Sequence, residues 1–212
     1  MKNLIIGITG MNSSGKSLLA ETLTKISGGI HLSVSDMIEK ELSSVGVSRE
    51  RLRDTANKYR QDFGGQYWLE KLINKNDKPG PLIIESVRSL DEVSFLQKFN
   101  QDGDVFALLL TTLSSDYIRY KRIVERGNAK DSTVKNLKQF LELEKTEQNE
   151  ENWKQNIPAC MSYANVIFEN NFFSGMTEKD ISCDKRDFVY QSVGKILEIP
   201  KKFPMFEGFL LK

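Results

Sequence analysis

The chain alternates short runs of consecutive apolar residues with longer stretches in which apolar residues recur every three or four positions. Leu4-Ile5-Ile6-Gly7-Ile8, closed by Thr9-Gly10, is rich in β-branched side chains and predicts a buried strand of a parallel sheet. Leu82-Ile83-Ile84 reads the same way behind the turn Lys78-Pro79-Gly80-Pro81, as do residues 105–110 and Val166-Ile167-Phe168. A brief strand is expected around residues 30–34. Between the strands, Leu18, Leu19, Leu23 and Ile26 mark a helix over residues 16–26 that stops at Gly28-Gly29. Asp36 is expected to open and cap a second helix, with Met37, Ile38 and Leu42 on its apolar side. Further helices are predicted over residues 48–73 with a break at Gly64-Gly65, over 91–99, from Ser114 as cap to about Arg126, and over 185–197. Alternation of this kind predicts an α/β fold: three layers, a parallel sheet with helices on both faces.

One stretch departs from the pattern. Residues 127–156 are polar, mostly helical in expectation, and carry Glu142, Glu144, Glu147, Glu150 and Glu151 with little apolar periodicity. The segment reads as a helical lid over a site, its acidic row turned to solvent, or as a hairpin packed permanently through Leu137, Phe140, Leu141, Leu143 and Trp153.

Composition narrows the class. The 212 residues suit one domain spanning 1–212. A formal charge of +1 gives no field to hold a nucleic-acid backbone or an anionic membrane, so neither is an expected partner. Cys160 and Cys183 are too few for a disulfide framework, and a lone His31 excludes multi-histidine metal sites. Residues 1–3 and the short run behind them lack the features of a signal peptide, and no apolar run is long enough to span a bilayer; a cytoplasmic location is expected. The run from Phe203 to Leu211 is unusually apolar and is expected to pack on its own domain.

The chemistry begins at Gly10-Met11-Asn12-Ser13-Ser14-Gly15-Lys16-Ser17, which fits G-x-x-x-x-G-K-[ST] between a buried strand and a helix. Glycines let consecutive backbone N–H groups turn inward onto a phosphate, and the helix N-terminus adds partial positive charge. The expected cofactors are ATP and Mg²⁺, held by Gly10, Asn12, Ser13, Ser14, Gly15, Lys16, Ser17 and Leu18. Lys16 reaches the β- and γ-phosphates, and the Ser17 hydroxyl is a magnesium ligand. Asn74-Lys75-Asn76-Asp77 mimics a guanine-reading N-K-x-D, but it precedes the second strong strand instead of following one, which argues against a GTPase. Glu85 ends that strand where a carboxylate can orient a magnesium water, and Arg88 stands at the same sheet edge.

Several segments resemble one family of phosphate-loop enzymes. Ser33-Val34-Ser35-Asp36-Met37-Ile38 is similar to the strand-to-helix corner that starts the acceptor segment of adenylate kinases, and Arg122-Ile123-Val124-Glu125-Arg126 to the R-I-V-x-R at the start of their lid. Glu85-Ser86-Val87-Arg88-Ser89-Leu90-Asp91-Glu92-Val93 resembles the D-G-[IV]-R-S-x-x-E-[VI] of archaeal adenylate-kinase-like P-loop proteins, and Arg60-Gln61-Asp62-Phe63-Gly64 their R-x-x-F-G. The resemblance implies a P-loop kinase fold with an acceptor segment at about 35–77 and a lid at about 127–156. It implies transfer of the ATP γ-phosphate to a nucleoside monophosphate, with Lys16, Arg88 and Arg126 catalytic. Arg60 and Arg88 would grip the acceptor phosphate, Arg122 would lie near the adenine, and Ser17 and Glu85 would serve the metal. Glu85 departs from the family's Asp, and no arginine follows Arg126 in the lid. Two alternatives stay open. One resembles dephospho-coenzyme A kinase, with Asp36 taking the proton of a ribose hydroxyl; the other is a nucleotide-binding regulatory module without turnover.

Overall fold

The computed structural model describes residues 4–42, 47–102, 105–127, 131, 134–171 and 178–202. Five strands, β1 (Leu4–Thr9), β2 (Ile30–Ser33), β3 (Leu82–Glu85), β4 (Phe106–Leu113) and β5 (Val166–Glu169), form one sheet in the order β2-β3-β1-β4-β5. Every pairing is parallel, with Ile8 opposite both Glu85 and Leu110. The helices are α1 (Lys16–Ser27), α2 (Val34–Glu41), α3 (Arg49–Phe63), α4 (Tyr67–Asn74), α5 (Leu90–Asp102), α6 (Asp116–Arg126), α7 (Leu137–Lys145), α8 (Ile157–Ser162) and α9 (Glu178–Lys202).

Side-chain alternation on the buried central strand splits the core in two. Leu4, Ile6 and Ile8 pack with Leu19 and Leu23 of α1 and Phe188, Ile196 and Ile199 of α9. Ile5 faces the other way, onto a layer built from α2 to α5 and Cys160 of α8. The three-layer α/β fold read from the sequence is therefore the observed one.

The local differences have physical causes. Helix α2 begins at Val34 because the Ser33 hydroxyl accepts from the Asp36 N–H at 3.2 Å; Asp36 sits in the first turn, exposed, and is not the cap. Ser114 does not cap α6, whose N-cap is Ser115; its hydroxyl instead accepts from Arg122 Nη1 at 3.2 Å. Among the described residues of 131–156 the α-helix is α7, and a Gln148–Asn156 bridge closes the turns that follow. The Cys183 side chain, the first three residues and the apolar run 203–211 lie outside the described residues. Among the described residues no helix is long and apolar enough to cross a membrane.

In an all-parallel sheet the C-terminal ends of the strands share one edge. The chain leaves β1 for β2 and β3 on one side and later for β4 and β5 on the other, so a crevice opens beside β1 at that edge. Asn74–Asp77, ahead of β3, lies at the opposite edge, far from the phosphate loop.

Candidate active site

The loop after β1 is held open by its surroundings. Gly10 and Gly15 have φ of 140° and 105°, in the region that disfavours side chains. A Cβ on Gly10 would stand 2.8 Å from the Thr112 carbonyl, and one on Gly15 2.2 Å from Asn170 Nδ2. Three of the loop's carbonyls are engaged by neighbouring donors. Arg119 Nη1 donates to Asn12 O at 3.3 Å, Arg122 Nη1 to Ser13 O at 3.2 Å and Asn170 Nδ2 to Ser14 O at 3.0 Å. Ser14 Oγ meets Thr112 Oγ1 at 2.6 Å. With the Asn12, Ser13 and Ser14 carbonyls held in this way, the N–H groups at the start of α1 are left to face the cradle.

Lys16 curls over this cradle, donating to Gly10 O at 2.8 Å and Met11 O at 2.9 Å. Burial, with repulsion from Arg88, lowers its pKa to about 7 against the attraction of Glu85 and Glu147. Beside it Ser17 Oγ donates to Glu85 Oε1 at 3.2 Å, while Glu85 Oε2 meets His31 Nε2 at 3.2 Å. Burial alone would push the Glu85 carboxyl up, but the His31 hydrogen bond and the Lys16 charge hold it below the ordinary range. A hydroxyl and an ionised carboxylate this close are hard oxygen donors, which suits Mg²⁺ with waters and phosphate completing its shell. Ser17 and Glu85 are the residues that would hold it.

Around the loop the arginines meet carboxylates from the polar stretch. Arg88 Nη1 and Asn12 Nδ2 both donate to Glu147 Oε1, at 3.2 and 3.1 Å. Arg119 grips both oxygens of Glu144 and lies over the Phe140 ring. Arg49 Nε and Arg126 Nη2 converge on Asp131, and Arg49 Nη1 also reaches Asn12 Oδ1 at 2.9 Å. Burial would raise the Asp131 carboxyl, yet the two arginines keep it depressed. The acidic row is thus only partly solvated: Glu142, Glu150 and Glu151 are exposed, whereas Glu144 and Glu147 are buried against the site. The segment is also docked by backbone bonds, Asn156 N to Arg88 O at 2.7 Å and Asp91 N to Asn152 O at 3.2 Å, and Phe140 is fully buried.

Not every arginine singled out by sequence faces the cradle. Arg60 is 1% exposed and donates through Nε and Nη2 to Glu92 Oε1, at 3.1 and 2.8 Å, inside the core. Arg122 stands behind the loop, between Ser13 O and Asn170. Arg126 is on Asp131, and Leu18 packs partly against the α1–α9 core. Arg88 does project to the loop, and Asp36 remains exposed near His31. Residues that sequence reasoning passes over include His31, Arg49, Arg119, Asp131, Glu147 and Asn170. Arg119, one turn before Arg122 on a basic helix, is the one a helical wheel could have found; the others depend on partners distant in sequence.

Residues 6–167 match the family model described as an AAA domain. The chain is 32% identical over 171 residues to a UPF0200 protein of Saccharolobus islandicus, covering 79% of this chain and 84% of that protein. It belongs to the UPF0200 family. Another UPF0200 protein, from Methanocaldococcus jannaschii, is 33% identical over 135 residues, 61% of this chain and 66% of that one. Among solved structures, shikimate kinase from Acinetobacter baumannii in complex with shikimate gives a TM-score of 0.54 at 13% identity, covering 93% and 94% of the two chains. The UPF0200 chain therefore has a P-loop kinase-like fold, in keeping with the resemblance carried by residues 85–93.

Proposed function

We propose that this protein is an ATP- and Mg²⁺-dependent phosphotransferase whose acceptor is a nucleoside monophosphate. The observation that carries the reading is Arg88: delivered from the strand beside β1, it shares the Glu147 carboxylate with Asn12 of the phosphate loop and lies close enough to Lys16 to repel its charge. A cation there, in addition to those that brace the loop, suits a second phosphate.

The mechanism follows from charge and alignment. The inward N–H groups and Lys16 hold the β- and γ-phosphates, and Mg²⁺, when bound by Ser17 and Glu85, neutralises charge on the transferring group. Arg88 holds the acceptor phosphate in line. An acceptor oxygen, already anionic, forms the new P–O bond as the bond between the γ-phosphorus and the β–γ bridging oxygen breaks. The electron pair of the broken bond stays with ADP, and because the attacking oxygen carries no proton, no general base is needed. Arg49 is proposed in the supporting role that sequence resemblance gives to Arg60.

Glu147 sits where this ligand set must go. A carboxylate about 4 Å from a phosphate oxygen is repelled by about 4 kcal/mol at an effective dielectric of 20. Glu147 therefore leaves Arg88 and Asn12 when the triphosphate arrives. Glu147→Gln should tighten binding of a non-hydrolysable ATP analogue by about tenfold, which is about 1.4 kcal/mol. Calorimetry measures it; weaker binding would show that Glu147 stays on the ligand side.

A specific observation also favours a hydroxyl acceptor. Because Ser33 takes the cap, the exposed Asp36 carboxylate is not spent on capping, and it lies near enough to His31 to influence its charge, which suits a base for a ribose proton as in dephospho-coenzyme A kinase. One acceptor panel with ATP and Mg²⁺ decides. ADP formed only with monophosphates supports the first reading, and ADP formed only with dephospho-coenzyme A supports the second. None formed with any acceptor leaves the regulatory module.

A further inference from the structure

The chain has one histidine, and it stands on the edge strand next to the strand that ends in Glu85. The β2–β3 register pairs His31 with Ile83 and Ser33 with Glu85, so His31 lies one side-chain repeat below Glu85 on the same face of the sheet. Ile83 packs with α1, which places this face towards Ser17 at the start of that helix. The two oxygens of Glu85 are divided: Oε1 accepts from Ser17 Oγ and Oε2 meets His31 Nε2, each at 3.2 Å. The Glu85 side chain is 12% exposed and that of His31 29%, so the contact is half-sheltered and not a loose surface pair.

Glutamate has one more rotatable bond than aspartate. Left alone at a strand end, its carboxylate can swing away from Ser17 into other rotamers. A donor at the second oxygen removes that freedom. We infer that His31 is a positioning residue that locks Glu85 onto Ser17 and so builds the cation side of the nucleotide site. The inference presupposes the nucleotide reading above and adds to it a residue that never touches phosphate or metal. It also accounts for a Glu at this position: the longer side chain can reach both Ser17 and the neighbouring strand.

The test is binding, not turnover. A non-hydrolysable ATP analogue is titrated calorimetrically at one pH, with Mg²⁺ and with EDTA, against wild type, His31→Leu and His31→Gln. Leu removes the donor; Gln retains an N–H at similar reach. In His31→Leu the enhancement of affinity by Mg²⁺ should fall at least tenfold while the EDTA affinity stays within twofold. His31→Gln should keep most of the enhancement. In a Glu85→Gln background, His31→Leu should change nothing further, because it acts only through that carboxylate. An unchanged enhancement in His31→Leu overturns the inference, as does an equal loss in both buffers or an additive loss in the double variant. Wild type that binds no analogue in either buffer overturns the nucleotide reading and the inference with it.

Discussion

Lys16→Ala is expected to reduce phosphoryl transfer by about a thousandfold or more, the scale on which transition-state charge stabilisation is lost, while leaving the fold intact. The two halves of that expectation have separate grounds. For transfer, the Lys16 ammonium lies on the loop and already seeks oxygens there, those of Gly10 and Met11. For stability, the buried ammonium is a burden on the empty protein. Its pKa is brought down from 10.5 to about 7, chiefly by burial. A lysine whose folded-state pKa is depressed opposes folding below its unfolded value, where the unfolded chain holds the proton more tightly. Removing it at neutral pH should hold or raise the melting temperature. A coupled ADP assay and a thermal melt on the same preparation check both halves. Activity within a few-fold of wild type would remove the basis for assigning this loop to γ-phosphate.

The sheet and the loop are legible in the sequence because each is specified by neighbours along the chain. β1 and β3 are apolar runs whose polar residues, Thr9 and Glu85, stand at their C-terminal ends, and Gly10 and Gly15 sit where only glycine tolerates the backbone and the packing. Helix starts are less legible. Ser33, Ser35 and Asp36 can each cap a helix chemically, and the choice falls to whichever residue ends β2 in extended geometry, which is Ser33. The least legible feature is which charges meet. Arg119 and Glu144 are 25 residues apart, Arg88 and Glu147 59, and Arg49 and Asp131 82. Glu144 and Glu147 read as solvated because a polar stretch normally is; here their inward positions are set by arginines on α6 and after β3.

Arg60 shows how the same limit affects a site assignment. Its place in an R-x-x-F-G element resembles a phosphate-gripping arginine, but its partner lies 32 residues on, in Glu92. Both side chains are fully buried. The other oxygen of Glu92 accepts from the backbone N–H of Arg88 at 2.7 Å and of Ser89 at 3.3 Å, so the pair ties α3 to the turn that presents Arg88. Arg60→Ala would strand a buried carboxylate, a change that costs about 3–5 kcal/mol and is a large fraction of the 5–15 kcal/mol typical of a domain. The melting temperature should fall by roughly ten degrees in a chain of this size. The double change Arg60→Met with Glu92→Gln removes the stranded charge and keeps an acceptor for the two backbone N–H groups. It should recover most of the lost stability and, with Arg88 held again, the acceptor affinity as well. Were Arg60 itself the phosphate ligand, the double variant would regain stability alone, and acceptor binding would stay as weak as in Arg60→Ala.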